Sequence, residues 1–355
     1  MPGFTPDCRP VLIGSLPFSD HQEACDTIFE YTAEIPLWPQ LPCYRQEGMI
    51  LQYAAGMPGL TEKKGKLFID TESETFEKEI LAFYEEYLMV TEGGAELNAS
   101  RFRLAEDDAK GFFTFLKTLD NRGQLPVCVK GQTTGPITFT TGLVDQVGRA
   151  IYYDEQLRDV AVKNLAMKAR WQVSRMARPG VVPIMFFDEP GLAGLGSSAF
   201  ITIRHEDIID CLSEVFKEVR QAGGLTGVHV CANTEWPVLF DSRVDIISYD
   251  AFSYFDKLIL YPEHLVSFMK RGGMLATGIV PTTEEQIDSV DEEGLVEKWF
   301  EQTAELERVG IARDTIYRQS FITPSCGTGT VSMDHALKVL SLTKAVSEKV
   351  RAQCR

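Results

Sequence analysis

Histidine and cysteine are the residue types here whose spacing first suggests chemistry. The chain of 355 residues holds five histidines and eight cysteines, and among the histidines only His229 has a cysteine, Cys231, two positions away. In a strand, residues two apart point to the same face, so this pair can present an imidazole and a thiolate to one ion. Cys326, in the run Pro324-Ser325-Cys326-Gly327, can supply a second sulfur. Zinc accepts two thiolates and one imidazole, and a set of three ligands leaves a position open to a substrate. Asp250 closes the apolar run after His229 and is either an oxygen ligand or the group that orients the imidazole. The competing role is that of buried fillers, since metal-free cysteine is among the most buried residue types. A third ligand at the end of another apolar run favours the metal.

Two carboxylates form the next candidate group. Asp188 and Glu189 follow the apolar run Ile184-Met185-Phe186-Phe187 and precede Pro190. A carboxylate emerging there can bind an ammonium group, or have a raised pKa and act as an acid. A helix cap or a structural ion pair would explain the same residues. Gly14 and Ser15, with the segment 131–136, offer close backbone approach and hydroxyls to a small polar substrate, although such glycine-proline runs also make simple turns.

These residues need elements to position them. Short apolar runs rich in β-branched residues recur at 10–15, 35–40, 126–131, 181–188, 225–231, 246–250, 274–280 and 320–326, most of them followed by a helical pattern. Such alternation implies parallel pairing, because parallel neighbours need a crossover connection. Eight runs predict a closed (β/α)8 TIM barrel, formed by residues 1–355 as a single domain. Residues from about 49 to 120 show helical patterns at 71–90 and 100–119 without a barrel-type strand, and read as a helical insertion capping the barrel mouth. In this class the site lies where strands end, which is where the candidate residues fall.

Composition limits the partners. The formal net charge of -16 disfavours nucleic acid and anionic membrane surfaces, and no apolar run approaches the roughly 20 residues that a bilayer span needs. No charged-then-apolar leader opens the chain, and the cysteines are too sparse for a disulfide scaffold, so a cytoplasmic protein with free thiols is expected.

With these residues assembled, the chain resembles the superfamily of cobalamin-independent methionine synthase, uroporphyrinogen decarboxylase and the corrinoid-dependent methyltransferases. The resemblance rests on Ile13-Gly14-Ser15-Leu16-Pro17, Gly135-Pro136, Phe187-Asp188-Glu189-Pro190, His229-Val230-Cys231 and Pro324-Ser325-Cys326-Gly327, in that order. It implies a zinc on His229, Cys231, Cys326 and a carboxylate matched here by Asp250, which is one methylene shorter. It also implies that Gly14, Ser15, Asp188 and Glu189 hold an amino-acid thiol such as homocysteine, which takes a methyl group. Folate-using members carry a histidine after the seventh strand, whereas residues 278–287 contain none. A methylated corrinoid, free or delivered by a corrinoid protein, is therefore the expected donor ahead of folate. Pro36-Leu37-Trp38 and Arg45-Gln46 are loosely similar to the decarboxylase branch, which needs no metal. A non-catalytic barrel that binds a corrinoid or docks a partner is the third alternative.

Overall fold

The computed structural model describes residues 4–195 and 202–354. Strands β1 (Leu60–Lys63) and β2 (Lys66–Ile69) pair antiparallel as a hairpin inside the segment read as an insertion. Lys64 and Gly65 make its two-residue turn at φ 53° and 77°, the left-handed geometry that matches strand twist. The main sheet consists of β3 (Cys128–Thr134), β4 (Val182–Asp188), β5 (Leu225–Val230), β6 (Ile246–Tyr249), β7 (Met274–Val280) and β8 (Ser320–Pro324). All neighbours are parallel, and their order along the sheet is their order in the chain.

This corrects the expected (β/α)8 TIM barrel: six strands form one open parallel sheet, curved as half a barrel. The segments 10–15 and 35–40 are not strands. They lie beside the sheet edges through isolated bridges, Pro10 to Ile322, Ser15 to Gln40 and Leu37 to Lys130. Pro10, Pro36 and Pro39 lack the N–H that a continuous ladder requires at every second residue. Apolar content alone marks these segments as strands, but their contact with the sheet is short: Val11 N donates to the Ile322 carbonyl and Ile322 N to that of Arg9, while Lys130 N donates to the Pro36 carbonyl. The strand expected at 126–131 forms as β3, beginning two residues later and ending three residues later. In the insertion, the helices run over Phe76–Thr91 and Lys110–Asp120, the second beginning ten residues later than the pattern at 100–119.

The concave face of the sheet is layered. Cys128, Ile184, Phe186, Ile246, Met274, Ala276 and Phe321 pack with Val11 and Ile35 into an apolar layer. Two residues further along β3, β4, β5, β6 and β8 the same face carries polar groups: Lys130, Gln132, Asp188, His229, Ser248 and Thr323, all but Asp188 at most 5% exposed. Lys130 Nζ sits 4.4 Å from the centre of the Phe186 ring and donates to the Ile13 carbonyl at 2.5 Å. Gly227 makes room for that ring, since a Cβ there would lie 2.3 Å from Phe186 Cδ1. The convex face packs Val129, Met185, Phe187, Val228 and Ile247 against the surrounding helices. Among the described residues, no helix is long and apolar enough to cross a membrane.

Phe186→Ala should therefore lower the unfolding free energy by about 3–5 kcal/mol, because it opens a cavity in the apolar layer and uncovers a buried ammonium. Urea unfolding followed by circular dichroism measures this, and a loss below about 1 kcal/mol would mean that the layer is not packed as described.

Candidate metal centre

Parallel strands all end on the same side, so residues just past those ends are gathered without being close in sequence. Cys231 follows β5, Asp250 follows β6 and Cys326 lies two residues beyond β8. The ligand atoms of His229, Cys231 and Cys326 lie within 4.8 Å of one another. His229 is 3% exposed, and its Nδ1 lies 3.0 Å from Ser248 Oγ. Its Nε2 is buried with no hydrogen-bond partner. A neutral ring that donates from Nδ1 to Ser248 leaves Nε2 with a free lone pair, the state a metal ligand needs.

The two thiols polarise each other. Cys326 and then His229 pull the Cys231 thiol well below its usual range, against the effect of its burial. Cys231 and then burial push Cys326 upward. A cation placed among these atoms would favour the thiolate form of both sulfurs. An orphaned imidazole nitrogen and two thiols in reach of one point fit a zinc ion.

Asp250 is placed differently from the other three. Its Oδ1 accepts from Ser253 N at 2.8 Å, so it caps the helix Ala251–Leu258. It is not among the atoms that lie within 4.8 Å of one another, and Ser248, rather than Asp250, contacts the imidazole. Burial raises the Asp250 pKa, against the Ser253 and Phe252 donors that lower it.

Asp188 is the register partner of His229 across β4 and β5, and its Oδ1 is buried without a partner. Burial raises its pKa, and Lys130 followed by His229 opposes that rise. Burial in turn pushes the Lys130 pKa down to about 8. Glu189 turns away from this pair. Its Oε1 accepts from Ile137 N at 2.8 Å, while Oε2 accepts from Thr138 N at 2.7 Å and from Thr138 Oγ1 at 2.6 Å. Both oxygens are thus committed to the start of the helix Pro136–Gly142, and Gly135 allows the approach, since a Cβ there would lie 2.2 Å from the Glu189 carboxyl carbon. Glu189 positions the loops around the site, and a substrate would have to displace those three donors to reach it.

Ser15 lies against the loop that carries Cys326: its carbonyl accepts from Thr328 N at 2.9 Å, and a Cβ on Gly327 would lie 2.2 Å from its hydroxyl. Gly14 faces Gln40 and Gln132 at 3.2 Å and 3.4 Å from where its Cβ would be. Sequence reasoning missed Ser248, which aims the imidazole, and Lys130, whose signal was a lysine inside an apolar strand run. The helix Glu284–Ser289 that follows β7 has no histidine of its own and meets His335 from the last helix, Met333–Gln353. The ring nitrogens of His335 lie 3.5 Å from Glu284 and 3.3 Å from Asp288.

The chain matches no protein-family model and no curated protein sequence.

Two measurements follow from this geometry. Protein purified without chelators should carry about one zinc per chain, lose it on Cys231→Ser or Cys326→Ser, and keep it on Cys211→Ser, because Cys211 lies in the convex-face core. Elemental analysis reads this directly, and equal zinc in all four proteins would place the metal elsewhere. The second concerns pH. Burial outweighs the Thr138 and Ile137 donors and raises the Glu189 pKa from 4.5 to about 7. A carboxyl whose folded pKa is raised contributes stability below its unfolded pKa and loses it as pH rises through the folded value. Between pH 4.5 and 7 it should therefore cost the native protein up to about 3 kcal/mol. Wild type minus Glu189→Gln should show this slope in chemical unfolding, and a difference independent of pH would contradict it.

Proposed function

We propose that this protein is a zinc-dependent methyltransferase that moves a methyl group onto a small-molecule thiol, of which homocysteine is the type. The observation that carries the reading is the convergence of His229, Cys231 and Cys326 within 4.8 Å, with a buried imidazole nitrogen left unpaired. In this reading those three residues hold the ion, and Ser248 fixes the tautomer and direction of the imidazole. Zinc bound there would keep an acceptor thiol as thiolate near neutral pH. Asp188 takes the ammonium end of the acceptor, supported by its buried, unpartnered oxygen beside the His229 strand. Lys130 holds the Ile13 carbonyl and so sets the Gly14 and Ser15 backbone that lines the acceptor's other side. The methyl donor is a methylated corrinoid, with folate as the alternative. A departing cobalt takes its electron pair and no proton, whereas a folate nitrogen needs an acid, worth about 100-fold to 10,000-fold in rate. A reducing cytoplasm suits a site of free thiols.

The test is thiol methylation by the zinc-loaded protein, with methylcobalamin and methyl-tetrahydrofolate run side by side. Transfer should be faster from the corrinoid. Asp188→Asn should weaken acceptor binding at least tenfold while zinc content stays at one per chain. Loss of zinc with acceptor affinity unchanged would make Asp188 a ligand instead. Fast folate turnover with no corrinoid activity would reverse the donor assignment and move the acid role to Glu284, Glu285 or His335. No methyl transfer to any thiol from either donor would overturn the reading.

A further inference from the structure

The amino ends of β5, β6 and β7 lie opposite the candidate metal centre, and basic groups gather there although the formal net charge of the chain is -16. Two adjoining cavities, of about 460 Å³ and about 610 Å³, share Arg220 and Arg243 as lining residues. Lys217 lines the first and Arg271 the second, against a single lining carboxylate, Asp245. That carboxylate is already engaged. Its Oδ2 accepts from Thr226 N at 2.9 Å and Thr226 Oγ1 at 2.7 Å, and its Oδ1 lies 3.3 Å from Arg220 Nη2.

The ordinary role of basic groups in such a place is to satisfy helix-end carbonyls. Arg220 and Arg271 do bond chain carbonyls, those of Arg243 at 2.5 Å and Phe240 at 2.7 Å. Arg243 and Lys217 do not: among the described residues their side chains make no hydrogen bond and no ion pair, although Arg243 lines both cavities. Arg243 is also held at φ 58°, a left-handed conformation uncommon outside glycine, asparagine and aspartate. Burial, and then Arg243 close by, hold the Arg271 guanidinium below its usual range. Asp245, engaged by Thr226 and Arg220, and Asp241 offset part of this charge, and the unpaired Arg243 and Lys217 leave an excess of positive charge that favours the binding of an anion.

We infer that this double cavity binds a soluble small ligand bearing two or more phosphate groups. Guanidinium forks match phosphate oxygens in geometry, and each of the two cavities has the volume of an ordinary small-molecule site. Arg243 and Arg271 supply the main contacts, Lys217 adds a point charge, and the Ser267 hydroxyl borders the second cavity. The site stands apart from the proposed methyl transfer, since the full length of the strands separates the two.

Calorimetric titration of the zinc-loaded full chain with inorganic pyrophosphate, at ionic strength held constant with chloride, tests the proposal. Saturable binding of one pyrophosphate per chain is expected, about tenfold weaker in Arg243→Gln and in Arg271→Gln. Arg178→Gln, which changes an arginine paired with Asp120 on another surface, should bind as the wild type does. Arg243 is exposed and unpaired, so its variant should fold and hold zinc normally, and zinc content checks this. Absence of saturable binding, equal affinity in all the variants, or binding only to vesicles carrying phosphorylated inositol lipids would each overturn the proposal.

Discussion

Parallel strands impose one constraint on which the rest of this molecule depends: every strand delivers its carboxyl end to the same side. His229 and Cys231 come from one strand and its exit, and Cys326 arrives from three strands further along the sheet, yet their ligand atoms fall within 4.8 Å of one another. No local sequence feature brings Cys326 to that point. The curvature of the half-barrel does, since a flat sheet would leave residues three strands apart at about 14 Å. The same curvature gathers Asp188, Ser248 and Thr323 around the cluster.

Below the cluster, burial of charge is what gives the concave face its directionality. Lys130 is fully buried, and its ammonium is held by the Ile13 carbonyl, the Phe186 ring and the field of Asp188. An uncompensated charge in such a place costs several kcal/mol, so lysine, aromatic ring and carboxylate stabilise one arrangement together and disfavour looser ones. The segment at 10–15 enters this arrangement through a carbonyl, which explains how it can border the site without belonging to the sheet as a strand. Glu189 acts similarly on the other side by fixing the helix Pro136–Gly142.

Much of the site was legible in the sequence because it obeys a period. The spacing of His229 and Cys231 is that of one strand face, and Ile184 to Phe187 leads straight to Asp188. What the sequence concealed depends on partners distant along the chain. Glu189 reads either as a substrate contact or as a helix cap, and only the structure shows which helix start, at Ile137 and Thr138, takes both its oxygens. Asp250 reads as a ligand or as the group that orients the imidazole; the structure shows it capping the helix that follows, while Ser248, two positions earlier, faces the imidazole. The closed barrel was expected from apolar runs at 10–15 and 35–40. Those segments touch the sheet edges only through isolated bridges, and Pro10, Pro36 and Pro39 leave them fewer donors for a longer ladder.

The central claim, that two sulfurs and one nitrogen of this chain hold a zinc ion in an open site, is tested most directly by zinc K-edge X-ray absorption with and without an added aminothiol. The account predicts two sulfurs at about 2.3 Å and one imidazole nitrogen at about 2.0–2.1 Å in the free protein, with a third sulfur entering when the thiol is added. A shell of oxygen and nitrogen alone, or four protein sulfurs unchanged by the thiol, would contradict it.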